Sequence, residues 1–290
     1  MADLAEFERQ RKRLWGIAYR ITGSVADAED AVQETWLRWQ QLPDGEADNP
    51  RAYLTTVVSR LCYDQLGSAR ARRESYVGPW LPEPMVTESG PEDRVTLDES
   101  VGLAMLTVLE RLTPAERTAF ILHDVFAVPF KEIAEVVGRT PDSVRQLASR
   151  ARHRVRDEAP RRSVDRGEHR RAVDAFLTAV LGGDFDGLLE ILDPDVVWRS
   201  DSGGNVTSAR LPVIGGTKAV RYARRFMRDF DPETMHALVR DVNGSPGVLM
   251  VDPVGRQSAV FGFNVHGGLI TMIDLVVNPE KLRHLDLEGF

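Results

Sequence analysis

The sequence contains one cysteine, Cys62, in 290 residues. It can therefore form no internal disulfide and no cysteine-based zinc cluster. No apolar run approaches the ~18 residues that a membrane helix needs. The longest candidate, residues 269–277, is interrupted by Asp274. The first fifteen residues are charged throughout and lack the apolar core of a secretory signal. An excess of positive charge is also missing: 37 Lys+Arg stand against 44 Asp+Glu, a net charge of −7, which argues against a simple nucleic-acid binder. No spaced His/carboxylate set reads as a metal site, and no metal, cofactor or catalytic residue is expected. These absences set aside the secreted, disulfide-stapled, collagenous and membrane-spanning classes and fit a reducing cytoplasm. What is present is ordinary for a globular protein, with 42% hydrophobic and 28% charged residues. The length suggests two domains or more, each able to bury a core without staples.

Charge is segregated along the chain. Residues 27–48 carry seven acids against Arg38, and residues 51–73 carry five arginines against Asp64. Residues 83–99 carry six acids against Arg94, and residues 139–162 carry eight arginines against Asp142, Asp157 and Glu158. A solvated helix face explains any one such stretch. Their alternation points to two separated polyanion-contacting surfaces.

Residues 1–78 read as helical, because Ile17, Ile21, Ala28, Ala31, Val32, Thr35, Trp36 and Trp39 recur at three- and four-residue steps. Leu42-Pro-Asp-Gly45 breaks the pattern, and Asn49-Pro50 opens the next helix with a cap and a first-turn proline. Residues 79–99 read as an acidic, Pro-rich linker. Gly78-Pro-Trp-Leu-Pro-Glu-Pro84 places three prolines in six residues, which cannot be helix. Trp80 and Leu81 are costly to leave in water, so this segment is expected to dock.

Residues 100–160 read as a second helical unit. Thr113-Pro114 caps a helix running to about Asp124, and a short helix over 130–137 is stopped by Gly138. Thr140-Pro141 then opens a third helix. Val144, Leu147, Ala148, Ala151 and Val155 mark its inner face, whereas Ser143, Arg145, Gln146, Ser149, Arg150 and Arg152 point elsewhere. A short helix, a Gly-containing turn and a basic second helix make a helix-turn-helix. Antiparallel helices in any small α domain share the caps and stripes. The basic, Ser/Gln-bearing outer face favours DNA binding.

Residues 161–168 read as another linker. Residues 169–290 change character: helical stretches at about 169–182 and 186–192 precede strand-like runs at 196–198, 247–251, 257–265 and 269–277. Gly267-Gly268 is a two-residue hairpin signal. The expected fold is α+β, two helices on a mainly antiparallel sheet. If the hairpin turns at the two glycines, Phe261, Phe263, Val265, Ile270, Met272 and Asp274 share one face. Asp274 then reads either as a pocket base or as a buried, hydrogen-bonded structural acid. His236 and His266 are further candidates without a defined partner.

Ile21-Thr-Gly-Ser-Val-Ala-Asp-Ala-Glu-Asp-Ala-Val-Gln-Glu-Thr-Trp36 resembles the core-polymerase-binding stretch, region 2, of bacterial extracytoplasmic-function sigma factors. Leu112-Thr-Pro-Ala-Glu-Arg117, Phe130-Lys-Glu-Ile-Ala-Glu-Val-Val-Gly138 and the basic helix resemble region 4. The C-terminal part is similar to a SnoaL/NTF2-like cone, an extension carried by the SigJ-like subgroup with three short signatures. Trp80-Leu-Pro-Glu-Pro84 matches the first. Asp201-Ser-Gly-Gly-Asn205 resembles Asp-Gly-Gly-Gly-Lys, from which Ser202 and Asn205 depart, with the loss of one charge. Asn278-Pro-Glu-Lys-Leu282 matches the third with Glu for Asp. The implied fold is multidomain, two all-α sigma domains followed by the α+β cone.

The resemblance implies core RNA polymerase and promoter DNA as partners. It places the −35 element against the second helix of the helix-turn-helix. There Arg145, Gln146, Ser149 and Arg150 are expected to face DNA, with Ser143 on the same outer face. Arg139, Arg152, Arg154 and Arg156 are expected at phosphates or flanking the groove. The −10 element falls to Asn49, Arg51, Arg60, Asp64 and Arg70, although Arg60 and Asp64 also read as a plain i,i+4 pair. Asp27, Asp30, Gln33, Glu34 and Trp36 resemble the face that docks on polymerase. A regulatory contact within the chain is expected from Trp80, Leu81, Pro82, Glu83 and Pro84 with Asp201, Gly203 and Gly204, and with Asn278, Pro279, Lys281 and Leu282. Three other readings stay open: a small-molecule ligand for the C-terminal domain, vestigial isomerase- or cyclase-like activity there, and a one-component regulator. The acidic block 27–34 speaks against the last, which has no need of it.

Overall fold

The computed structural model describes residues 4–43, 46–74, 76–87, 102–158, 165–204, 206, 208–229, 233–252 and 257–285, with backbone alone for 68–74, 229 and 257. The chain forms two compact units. Met1–Ser75 and Val108–Ala159 make one; Tyr76–Thr107 and Pro160–Phe290 make the other. The Pro-rich stretch read as a linker therefore belongs, in its described part, to the C-terminal unit.

The helical unit begins with α1 (Leu4–Thr22), α2 (Val25–Gln41) and α3 (Pro50–Glu74). Ser24 caps α2, its Oγ accepting from Asp27 N at 3.2 Å. Asn49 Oδ1 accepts from Ala52 N at 3.1 Å and starts α3 before Pro50. The apolar stripes of the three helices meet in a core that includes Leu14, Ile17, Ile21, Ala28, Ala31, Leu54 and Val58. Cys62 lies in that core. Burial, reinforced by Asp27, pushes its thiol well above the usual range, so it is an inert protonated packing group.

The same unit continues with α5 (Pro114–Phe120), α6 (Phe130–Val137) and α7 (Pro141–Glu158), reached through α4 (Leu103–Leu109). Thr113 and Glu116 form a reciprocal capping box on α5. The helix expected to run to Asp124 ends at Phe120 and widens into a π turn, Ile121–Val125. Gly138 ends α6 in the left-handed conformation, φ 66°, which a glycine adopts at no steric cost.

The two helical groups are tied together inside this unit. Arg117, at 1% exposure, donates from Nε and Nη2 to the carbonyl of Arg20 at 3.2 and 3.0 Å, and from Nη1 to Glu110. Arg60 on α3 donates to the carbonyl of Glu135 on α6 at 2.7 Å.

The C-terminal unit carries α8 (Arg166–Gly182), α9 (Phe185–Ile191) and α10 (Gly216–Phe226) on one face of a seven-stranded sheet. The strands are β1 (Val86–Thr87), β2 (Leu192–Asp201), β3 (Val213–Ile214), β4 (His236–Val242), β5 (Ser245–Asp252), β6 (Gln257–His266) and β7 (Leu269–Val276). Their order is β1-β4-β5-β6-β7-β2-β3, and among the described residues β2 with β7 is the one parallel pair. The expected α+β cone is formed, with α10, β3 and β4 added to the helices and strands anticipated. β1 comes from the Pro-rich segment and pairs with β4, Val86 opposite Val242. The helix-side core is dense with rings: Phe176, Trp198, Phe226, Phe261 and Phe263 pack among themselves at 4.9–6.2 Å.

The hairpin turns at Gly267-Gly268 as anticipated, but the facing differs from the simple alternation. A bulge between Asn264 and Val265 shifts the register, so Phe263 faces Ile273 and Gly262 faces Asp274. One residue of slip moves side chains to the other face. Ile273 and Leu275 join Phe261 and Phe263 in the ring-filled core, and Asp274 points away from it. Arg199 Nε and Nη2 bind both Asp274 oxygens at 2.6 and 2.7 Å. Asp274 is thus a structural half of a buried ion pair, and the pocket-base reading falls.

Candidate functional site

On α7, Val144, Leu147, Ala148, Ala151 and Val155 are buried, leaving Arg145, Gln146, Arg150, Arg154 and the turn residue Arg139 exposed, with Ser143, Ser149 and Arg152 half-buried. The arginines of this face differ in what holds them. Arg145 pairs with the exposed Asp142 at 2.7 Å and lies over the Phe130 ring. Arg152 Nε donates to Asp124 at 2.6 Å. Arg150 and Arg154 both reach Glu116 on α5, at 3.2 and 3.3 Å. Burial alone would raise the Glu116 carboxyl. Hydrogen bonds from Thr113 and the two guanidiniums outweigh that and hold it below the usual carboxylate range. The sequence placed these arginines on the outer face but gave no sign that one acid gathers two of them.

Of the residues expected at the −10 element, Asn49 is engaged as a helix cap and Arg51 and Asp64 are exposed on α3. Arg60 spends its hydrogen bond on Glu135 rather than on Asp64, so the expected i,i+4 pair does not form. The side chain of Arg70 and residues 44–45 lie outside the described residues. On α2, Asp30 and Gln33 are exposed, and Asp27, Glu34 and Trp36 are half-buried. Glu34 pairs with Arg38 at 2.9 Å, and Trp36 packs on Phe7 at 4.8 Å. Gln33 and Trp36 line a groove of about 460 Å³ together with Phe7, Trp15 and Val32.

The three short signatures meet on the sheet face opposite α8–α10. Asp201, at the end of β2 and fully buried, is their centre. Its Oδ2 accepts from Leu81 N at 2.7 Å and from Lys281 Nζ at 2.8 Å, and its Oδ1 accepts from the Tyr76 hydroxyl. Lys281 also donates to the Leu81 carbonyl, and its ammonium sits 3.3 Å from the Trp80 ring centroid. Such a cation over an indole face is held without solvent. Asn278 caps α11 (Pro279–Leu282) through Glu280 N and donates to Tyr76 Oη at 2.8 Å. Leu81 and Leu282 are buried against Leu103, Val242, Leu249, Val251, Val260 and Val276. Pro82 and Pro84 are buried, Glu83 is half-buried and Pro279 is exposed.

Two glycines make the approach feasible. A Cβ on Gly203 would stand 2.6 Å from Asn278 Nδ2, and one on Gly204 would stand 3.4 Å from Val77 Cβ. Both have positive φ, 62° and 79°. Asn205 lies outside the described residues.

Tyr76, Asn243 and His284 belong to this assembly but were not anticipated. Asn243 Oδ1 accepts from Met85 N at 3.1 Å, and His284 Nε2 lies 2.9 Å from the Pro84 carbonyl. Tyr76 was legible on the same ground as Trp80, a large aromatic beside prolines. Burial and the bond to Asp201 push its phenol up, so it stays a donor.

The geometry is that of a two-part helical unit bearing a basic helix-turn-helix, joined to a sheet domain that grips the connecting segment. Residues 7–72 match the family model described as Sigma-70 region 2, and residues 102–155 match Sigma-70, region 4. The chain is 42% identical to the ECF RNA polymerase sigma factor SigJ of Mycobacterium tuberculosis, over 96% of this chain and 93% of that one. It is 37% identical to the probable ECF RNA polymerase sigma factor SigI of the same species, over 98% and 96%. The crystal structure of the M. tuberculosis extracytoplasmic function sigma factor SigJ superposes with a TM-score of 0.78 at 38% identity, covering 99% of this chain and all of that one. The chain belongs to the extracytoplasmic-function sigma factors of RNA polymerase.

Proposed function

We propose that this sigma factor carries its own regulator, and that the C-terminal unit acts by gripping the segment between regions 2 and 4. The observation that carries the reading is the buried Asp201–Lys281 centre closed over residues 76–84 of that segment. In this reading α7 contacts the upstream promoter element, α3 the downstream one, and the α2 face with its groove docks on polymerase. Elements centred about 25 base pairs apart lie about 85 Å apart along B-DNA. Regions 2 and 4 are instead packed together through Arg117 and Arg60, so simultaneous engagement requires the connecting segment to pay out. The grip opposes that. The ring-packed interior of the cone supports a contact role over ligand binding or catalysis.

The test is reconstituted initiation with core polymerase. Deleting residues 278–290 removes the Lys281 arm, and Trp80→Ala removes the surface it covers. Each change is expected to raise transcript yield with core binding intact. Together they are expected to be less than additive, because both disrupt one interface. Fully additive effects, or unchanged yields, would show that the segment is not controlled from this site.

A further inference from the structure

We infer that Glu116 is a positioning residue for promoter reading: it holds Arg150 so that the outer edge of its guanidinium is presented as a two-pronged donor to one base pair. The inference rests on the reading that α7 contacts the upstream element and adds a residue that itself touches no DNA.

Three observations carry it. Glu116 is far more buried than the other acids paired with the α7 arginines: its side chain is 5% exposed, against 23% for Asp124 and 85% for Asp142. Its carboxylate is fixed from behind by Thr113, whose N and Oγ1 donate at 3.2 and 2.8 Å. A carboxylate anchored in this way loses no freedom when it holds a second group. Its other oxygen, Oε1, takes Arg150 through Nε, and Arg154 Nη1 shares Oε2 with Thr113. The Nε bond matters most. It immobilises the inner edge of the Arg150 guanidinium and leaves both terminal amino groups without a partner among the described residues, on a side chain that is 55% exposed. Those two groups are the fork that matches guanine O6 and N7, and a planar fork gains more from pre-orientation than a flexible ammonium does. Arg145, by contrast, is tied to an exposed acid within its own helix turn.

A purely structural acid would stabilise α5 and leave sequence preference alone. Glu116→Gln separates the two roles, because Gln at this position keeps the capping box but removes the charge that holds two guanidiniums. The experiment uses holoenzyme made from the full chain and core polymerase, bound to a pool of duplex DNA randomised across the upstream element. Glu116→Gln is expected to lose about tenfold of the preference at one base pair and to keep it at the others. Arg150→Lys, which keeps charge without the fork, is expected to lose preference at the same base pair, and the double variant to lose no more. Arg145→Ala and Gln146→Ala are expected to relax different positions. If Glu116→Gln weakens all sequences alike, or alters none, while Arg145→Ala relaxes a base pair, the positioning role is wrong and the reading of α7 stands. If Arg145→Ala, Gln146→Ala and Arg150→Ala all leave preference intact, α7 is not the reader and both fail.

Discussion

Asp201→Ala is expected to destabilise the C-terminal unit by about 3–5 kcal/mol and to release the Pro-rich segment. The magnitude follows from what the change leaves behind. Lys281 is 4% exposed, and removing one member of a buried ion pair strands the other charge in a poor solvent. The ammonium would lose its carboxylate and be left against groups that carry no full charge, among them the Leu81 carbonyl and the Trp80 and Tyr76 rings. Tyr76 and Leu81 N would lose their acceptor in the same step. Urea denaturation gives the loss directly, and proteolysis within residues 76–87 reports the release. Lys281→Met in the Asp201→Ala background should recover part of the loss, because no orphan cation remains. A loss under about 1 kcal/mol would mean that the pair is replaceable by water and that the grip lies elsewhere.

The second large effect is expected at Arg117. It is buried as completely as Leu14 and Tyr19 of the same unit, yet it carries a full charge. Its guanidinium is used on three nitrogens, two toward the last turn of α1 and one toward Glu110. Arg117→Ala deletes a large packed side chain and takes the cation away from a carboxylate whose side chain is 8% exposed. About 3–5 kcal/mol of the helical unit's stability should go with it. The joint between α1 and α5 should loosen, so that two unfolding steps replace one cooperative transition. Replacing both partners together, Arg117→Met with Glu110→Leu, should restore most of the stability. A single unshifted transition for Arg117→Ala would contradict this.

Much of the molecule is legible in its sequence because the signals there are local. Thr113-Pro114, Thr140-Pro141 and Asn49-Pro50 each specify a helix start through a cap and a fixed φ. Gly267-Gly268 specifies a hairpin through positive φ. Trp80 and Leu81 announce docking because prolines deny them a core of their own. The facing of Asp274 was not legible: it depends on an extra residue in β7, Thr271, opposite the step from Asn264 to Val265, which period-two alternation cannot register. The pairing of Arg150 and Arg154 with Glu116 was hidden for a related reason. The two sides lie 34 and 38 residues apart, and a capping-box Glu looks complete without a further partner. Arg60 and Asp64 show the converse. Their i,i+4 spacing offered a pair worth a few tenths of a kcal/mol, and Arg60 instead donates to a backbone carbonyl on α6.

The grip can be locked and released in one protein. A Cβ at position 204 would lie 3.4 Å from that of Val77, close to the separation that a disulfide spans. Cys62 is buried with its thiol protonated, so Val77→Cys with Gly204→Cys gives one reactive pair; a side chain at φ 79° is strained, but the oxidised and reduced forms share that strain and differ in the cross-link alone. The decisive measurement is transcript yield from core polymerase with this variant, oxidised and then reduced. A low yield when oxidised, recovered on reduction with polymerase binding unchanged, is the expected result. Equal yields in the two states would contradict the claim that this chain is controlled by holding the segment between its two sigma regions.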